Sequence, residues 1–339
     1  VEVMVEVETY YLGCLAQASY LVHYKGVGVL IDPRRDGQLY LDHLAEINVR
    51  LKAVVLTHLH ADFVAGHADL SAATGAPVFI GKHCHARSPH CPVLEGDRLG
   101  LGDGVFLEAL ETPGHTLGCV TWLLTEAGAV TRAFTGDTLF VGSVGPPDLV
   151  ASLGATTEAL AAAMYDTVHG KLKRLPDGCV VHPCHGAGSP CCSLPSDKLA
   201  STIGEEKVNN QAFTLVDKPA FLAFLTQGQP SVPPYFQTCL SLNKTGPPLL
   251  SASPACQLLP LLPAPEFFRR LANSSRDSVY RLDTREAGEF AGGHVSGFLN
   301  FPMSNKGGVD ELTPGKNETH EGNFAVWVGR MVATDVRMF

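Results

Sequence analysis

The chain opens on alternating apolar and charged residues, Val1-Glu2-Val3 and then Val5-Glu6-Val7, the two-residue period of a strand with one face in water. Val27 to Ile31 is a continuous apolar run and predicts a buried strand. Asp42 to Asn48 and Ala65 to Ala73 predict helices flanking a further strand, Leu51 to Leu56. Strands follow near Val78, Val105, Val120 and Ala133, then a helical pattern from Ala151 to Leu172. Strand sets alternating with helices predict a layered α/β domain. Prolines and serines break the apolar stretch from Pro247 to Pro265 into a linker. Beyond it, Pro265 to Asn273 predicts a short amphipathic helix, and Ser278 to Arg285 a strand leading into a turn.

The ends of the predicted strands carry the chemistry. Directly after Leu51 to Leu56 comes Thr57-His58-Leu59-His60-Ala61-Asp62-Phe63, two imidazoles and a carboxylate within five residues. Such a group binds a divalent transition metal when other ligands join it. Thr112-Pro113-Gly114-His115 follows the next apolar pattern, Thr135-Gly136-Asp137 the one after, and Val181-His182-Pro183-Cys184-His185-Gly186 ends another short strand. Four strand ends therefore present His or Asp.

The order HxHxD, PGH, TGD and a late CHG resembles the metallo-β-lactamase superfamily, and within it the persulfide dioxygenases. Tyr11-Leu12-Gly13-Cys14-Leu15-Ala16-Gln17, Ile31-Asp32-Pro33-Arg34-Arg35, Gly136-Asp137-Thr138-Leu139-Phe140, Gly186-Ala187-Gly188-Ser189, Ser201-Thr202-Ile203-Gly204 and Pro233-Pro234-Tyr235-Phe236 extend the likeness over roughly the first 250 residues. The resemblance implies a four-layer αββα sandwich. It also implies one Fe(II) per chain, held by His58, His115 and Asp137. Two imidazoles and one carboxylate fix one face of an octahedral iron and leave the remaining positions for substrate and oxygen. The expected reaction joins a thiol persulfide, most often that of glutathione in this family, to O2 and releases sulfite and the free thiol. Dimers are common in the family, so a homodimer is compatible with the chain.

Hydrolases of the glyoxalase II type, by contrast, carry HxHxDH and hold a second metal with its last residues. Here the final position is Phe63, which cannot ligate. A mononuclear site is therefore expected, with a zinc thioester hydrolase as the alternative. The hydrolase likeness would make His60 a ligand, whereas the dioxygenase likeness places it behind the metal, hydrogen-bonding to what holds it. The latter is favoured, and Asp62 and His185 are read the same way.

A further departure lies in Gly142-Ser143-Val144-Gly145-Pro146-Pro147-Asp148-Leu149, where the family commonly reads GDVGRPDL. Pro146 replaces an arginine and so removes a fixed positive charge from the mouth of the expected site. In the C-terminal stretch, Asp283-Thr284-Arg285, Glu289-Phe290, Gly293-His294, Gly297, Asn300 and Pro302 resemble the first half of a rhodanese domain. No cysteine follows Cys256, so that chemistry is not expected. The expected organisation is a dioxygenase domain over 1–245, a linker over 246–264, and an incomplete rhodanese-like α/β domain over 265–339 that lacks a catalytic cysteine.

Composition narrows the alternatives. With 339 residues, 45% of them hydrophobic, the chain can bury a full core and a second domain. A formal net charge of −9 argues against a nucleic-acid surface. No apolar run of membrane-spanning length occurs, and no membrane partner is expected. Ten cysteines are too sparse in a chain of this length for a disulfide scaffold, so they are read as reduced thiols of an intracellular protein, cytoplasmic or mitochondrial. No signal-peptide pattern precedes the first strand, and a start at Val1 leaves room for a transit segment before it. His83-Cys84-His85 and His90-Cys91 are read as a surface loop with no standard zinc spacing, and Cys184, Cys191 and Cys192 as packing thiols.

Overall fold

Alternation along the strands sends successive side chains into different layers, and this decides the architecture. In the computed structural model, which describes residues 4–148, 155–186, 198–227, 232–252, 262–274, 279–302 and 337–338, two six-stranded sheets carry the domain. The first runs in order β1 (Glu6–Leu12), β2 (Gln17–Tyr24), β3 (Val27–Ile31), β4 (Arg50–Leu56), β5 (Val78–Gly81) and β6 (Cys91–Val93). Its first three strands are antiparallel neighbours, and β3 to β6 are parallel. The second sheet begins with β7 (Arg98–Gly102), β8 (Val105–Glu111), β9 (Val120–Glu126) and β10 (Ala129–Gly136). A small hairpin, β11 (Leu139–Phe140) with β12 (Ser143–Val144), follows β10. The sheet is completed by β13 (Val180–Pro183), parallel to β10, and β14 (Ser201–Thr202).

Helices cover the outer faces. On the first sheet these are α1 (Gln38–Glu46) and α2 (His67–Thr74); on the second, α3 (Thr157–Gly170), α4 (Ile203–Asn209), α5 (Gln211–Thr214) and α6 (Lys218–Thr226). The later α7 (Phe236–Thr245) returns to the first sheet, where Phe236 and Leu240 join its core. Three apolar layers result. Ala53 and Val55 of β4 point between the sheets toward Trp122, Leu124 and Phe134, while Val54 and Leu56 point to the helices with Tyr40 and Leu70. The third layer joins Leu123, Ala133 and Val181 to Met164, Val168, Phe213 and Phe221. This is the expected four-layer αββα sandwich. Fully burying one such side chain contributes about 1.5–3 kcal/mol, so the layers set the fold before any site is considered.

Several predicted boundaries move. The first strand lies at Glu6–Leu12, because pairing from Glu6↔His23 to Leu12↔Gln17 extends it toward the hairpin end; Val1 to Val3 lie outside the described residues. The helix expected over Asp42 to Asn48 starts at Gln38 and ends at Glu46, with Asn48 in the left-handed region at φ 54°. The helix expected from Ala151 begins at Thr157, where the Thr156 side chain caps the Ala159 N–H; 151–154 lie outside the described residues. The start of the expected linker is fastened to the domain, since Leu250 N–H donates to Asp69 Oδ1 at 2.7 Å and Arg35 reaches the Pro248 carbonyl.

In the C-terminal stretch, α8 (Ala264–Asn273) forms where expected. The strand expected from Ser278 to Arg285 is divided into β15 (Val279–Tyr280) and β16 (Leu282–Asp283). Between them, the Arg281 guanidinium turns back to the Leu271 and Ser274 carbonyls. After α9 (Ala287–Gly292) come β17 (Leu299–Asn300), parallel to β16, and β18 (Arg337–Met338), parallel to β15. Among the described residues, no helix is long and apolar enough to cross a membrane.

Candidate metal centre

Parallel strands end side by side, and their following loops bring the predicted residues to one edge. Asp32, just past β3 and itself left-handed at φ 49°, is the first anchor. Its carboxylate accepts from the Thr57 N–H (2.8 Å), the Thr57 hydroxyl (2.7 Å) and His60 Nε2 (2.9 Å). The Thr57 hydroxyl has one proton and gives it to Asp32, so its 3.0 Å contact with His58 Nδ1 requires Nδ1–H to donate. That places the lone pair of His58 on Nε2. His115, in the turn after β8, has its proton fixed in the same way, Nδ1–H donating to the Pro146 carbonyl at 2.6 Å. His185, after β13, contacts the Ala16 carbonyl through Nδ1 at 3.3 Å. Asp137 follows Gly136, which is left-handed at φ 53° and leaves no room for a side chain, because a Cβ there would lie 2.3 Å from Thr57 Oγ1.

The two oriented imidazoles converge on one carboxylate. His58 Nε2 lies 3.8 Å and His115 Nε2 3.7 Å from Asp137 Oδ2, all three side chains being buried. His185 Nε2 lies 3.6 Å from Asp137 Oδ1 and 3.2 Å from Asp62 Oδ2. Neither oxygen of Asp137 accepts a hydrogen bond, although the residue is only 1% exposed. A buried carboxylate left this way is costly unless a positive charge meets it. The donor set His58, His115 and Asp137, with its atoms all within 4.8 Å of one another, therefore fits a divalent cation.

Charges around the cluster act in the same direction. Burial, reinforced by the neighbouring His60, His115 and His185, holds His58 well below the usual imidazole range, hence neutral and able to ligate. Burial also disfavours charge on His185, but Asp137 and Asp62 outweigh it and raise this imidazole to about 9. His60 is likewise raised, with Asp32, Asp62 and Asp137 overcoming its burial. Asp62 is lowered against its burial by His185 and His60. Asp137 is raised, burial and the Asp62 charge prevailing over its imidazole neighbours.

All six predicted residues, His58, His60, Asp62, His115, Asp137 and His185, come together. His60 offers its Nε2 to Asp32, and its ring packs 4.4 Å from that of Phe63, which is buried in the core. Pro146, without a polar side chain, still acts on the site through its carbonyl. Cys184 packs as a buried thiol in the core, beside Asp137 and His185; Cys191 and Cys192 lie outside the described residues. The loop from Lys82 turns Cys84 inward to the Gly118 carbonyl (3.3 Å), while His83 and His85 border a cavity of about 280 Å³ with Lys82 and Glu111. Among the described residues, His83, Cys84 and His85 do not join a convergent group of donor atoms.

Sequence reasoning missed two positioning residues. Asn243 of α7 donates to the carbonyls of His60 and Phe63 (both 2.8 Å) and accepts from the Ala65 N–H (2.9 Å), fixing the whole loop. Buried Glu206 of α4 accepts from the Gly142 N–H and the Ser201 hydroxyl, and from Asn210, whose side chain also donates to the Ser143 carbonyl, so the loop ending at Pro146 is held. No local pattern marks either one. Asn243→Ala is expected to destabilise the fold by about 3 kcal/mol, through orphaned buried groups, and to weaken metal binding by about 10–100-fold. Urea unfolding and metal titration would check this; an unchanged midpoint and affinity would refute it.

The sequence pattern of the family described as the metallo-beta-lactamase superfamily matches residues 12–185, the span that contains all six of these residues. This chain belongs to the metallo-β-lactamase superfamily. It is 37% identical over 161 residues to a hydroxyacylglutathione hydrolase of Hahella chejuensis, covering 48% of this chain and 58% of that one. It is 33% identical over 193 residues to the mitochondrial persulfide dioxygenase ETHE1 of Mus musculus, covering 55% and 66% respectively. The matches thus span less than two thirds of either relative. A metallo-beta-lactamase of Staphylococcus aureus superposes with a TM-score of 0.79 at 28% identity, over 98% of this chain and 90% of its own. Superfamily membership accounts for a metal centre at this sheet edge, and the relatives divide between hydrolysis and oxygenation.

Proposed function

We propose that the chain is a mononuclear non-haem iron(II) dioxygenase acting on a thiol persulfide. The observation that carries this reading is the convergence of His58, His115 and Asp137, together with Phe63, a residue without donor atoms, at the sequence position where dinuclear hydrolases carry a ligand. Iron(II) held by these three would supply the electrons that activate oxygen, and a ligand set of three leaves positions for both reactants. The overall change balances as RSSH + O2 + H2O giving RSH, sulfite and two protons. A persulfide is in keeping with the name of the mouse relative, and glutathione persulfide is the one we favour.

The protein's own contribution is orientation and proton placement. Asp32 and Thr57 keep the His58 proton on Nδ1, and the Pro146 carbonyl does the same for His115, so both Nε2 atoms stay free to ligate. His185, raised by its carboxylate partners, holds a proton at Nε2 between Asp62 and Asp137. His60 is tied to Asp32 and supports the loop from behind. Burial of all six side chains keeps bulk water from the centre. We assign the stretch 265–339 as an accessory, rhodanese-like module.

The test is anaerobic iron loading, metal analysis and oxygen uptake on adding glutathione persulfide. About one iron per triad and rapid uptake, with sulfite as product, are expected. Iron-loaded protein that consumes no oxygen would overturn the reading. A second reading, metal-dependent thioester hydrolysis, is favoured by the Hahella relative and by Asp62 and His185 lying beside Asp137. Cleavage of a glutathione thioester by the zinc-loaded chain would select it.

A further inference from the structure

Imidazoles and carboxylates gather a second time on the outermost strand of the first sheet. The two-residue period of β1 turns Val5 and Val7 to the layer between the sheets, and Glu6, Glu8 and Tyr10 to the helix side. Residues paired across strands share a face, so the pairing Glu6↔His23 sets His23 among these carboxylates. Over the same face α1 lays His43, from its last turn. Three separate elements therefore contribute.

Glu8 has an imidazole at each oxygen. His23 Nε2 stands 3.2 Å from Oε1, and His43 Nε2 2.9 Å from Oε2. The donor atoms of Glu6, Glu8 and His23 all lie within 4.8 Å of one another, and His23 is 7% exposed. Behind His43, Glu46 Oε2 lies 3.7 Å from Nδ1. Among the described residues, no lysine or arginine pairs with Glu6, Glu8 or Glu46. Tyr10, next along this face, is buried with its ring edge-on to His43, centroids 5.9 Å apart, and its hydroxyl makes no hydrogen bond. Burial, reinforced by the charge of Glu8, raises that hydroxyl's pKa. Two neutral imidazoles donating to Glu8 would satisfy one carboxylate and leave the charge of Glu6 unmet. A cation meets both.

We propose that Glu6, Glu8, His23 and His43 form a structural cation site that fastens the edge strand β1 to β2 and α1, and that it takes a divalent ion of the zinc class. Two imidazoles and two carboxylates make four donors of the kinds zinc accepts, whereas magnesium and calcium favour oxygen alone. Each neutral imidazole then carries its proton on Nδ1 and offers the Nε2 lone pair. The site shares no residue with the His58, His115 and Asp137 centre and leaves that centre mononuclear. It does not depend on the dioxygenase reading.

Zinc chloride is the probe, and Asp137→Asn supplies a chain whose other centre lacks its anionic donor. Metal-free, full-length Asp137→Asn protein in equilibrium dialysis is expected to take up one equivalent of zinc, and its thermal midpoint to rise by about 5 °C at saturation. Adding His23→Gln or His43→Gln should weaken that binding by about 100-fold and abolish the rise. Glu6→Gln, a change at an exposed side chain, should weaken it by about 10-fold without unfolding the chain. Cooperative melting of each metal-free variant shows that it is folded. Absence of zinc uptake by the Asp137→Asn chain would overturn the proposal, and so would uptake that His23→Gln and His43→Gln leave unchanged. Oxygen uptake plays no part in these readouts, so a failed dioxygenase assay would leave the result standing.

Discussion

Asp137→Asn is expected to abolish iron binding while leaving the metal-free protein at least as stable as wild type. The carboxylate is buried, accepts no hydrogen bond, and is raised in pKa chiefly by burial, so folding without a cation works against its charge. The amide keeps the volume and removes that charge. The same removal takes from the cation the one anionic donor shared by His58 and His115. Iron content should fall below about a tenth of wild type. Oxygen uptake with glutathione persulfide should drop on the order of 10³-fold, equivalent to about 4 kcal/mol. Metal analysis and thermal unfolding of the metal-free pair would check both halves. Asp137→Asn protein that retained full iron would show that the imidazoles alone hold the metal, against the triad argued above.

The second large effect concerns a residue with no functional group. A Cβ on Gly145 would lie 1.8 Å from the Asp137 carbonyl oxygen and 3.1 Å from His115 Cβ. The first of these is a backbone atom, which cannot swing aside, so the loop itself has to move. That loop carries the Pro146 carbonyl on which His115 depends. Gly145→Ala is therefore expected to cost about 3 kcal/mol or more and to lower iron affinity together with stability. Gly178→Ala is the control: a Cβ there meets nothing within 4 Å, and its effect should stay within about 0.5 kcal/mol. Chemical denaturation of the two variants would decide the matter, and equal midpoints would refute the steric account.

Much of the fold was legible because strand and helix periods are local. Leu51 to Leu56 reads as a buried strand from its apolar run alone, and it is one. Helix limits were less legible, since Thr157 starts a helix through the Thr156 side-chain cap, and Gln38, exposed and without a side-chain cap, starts one ahead of any apolar spacing that would mark it. The six site residues were legible for a similar reason. Each follows a strand within a short motif, and parallel neighbours end at a common edge. Asn243 and Glu206 were not, because their partners lie far away in sequence and a single Asn or Glu on a helix carries no signal of what it will meet.

By itself, then, the sequence determined the layers, the strand-end placement of His58, His115 and Asp137, and the loss of a ligand at Phe63. All of these are properties of a residue and its near neighbours. Only the tertiary structure decided which nitrogen of His58 is free, through a threonine proton committed to Asp32, and that Pro146 acts by its carbonyl. Only there, too, does Cys184 stand beside Asp137 and His185. Proton positions and donor sets depend on distances between strands, and those are fixed when the two sheets pack.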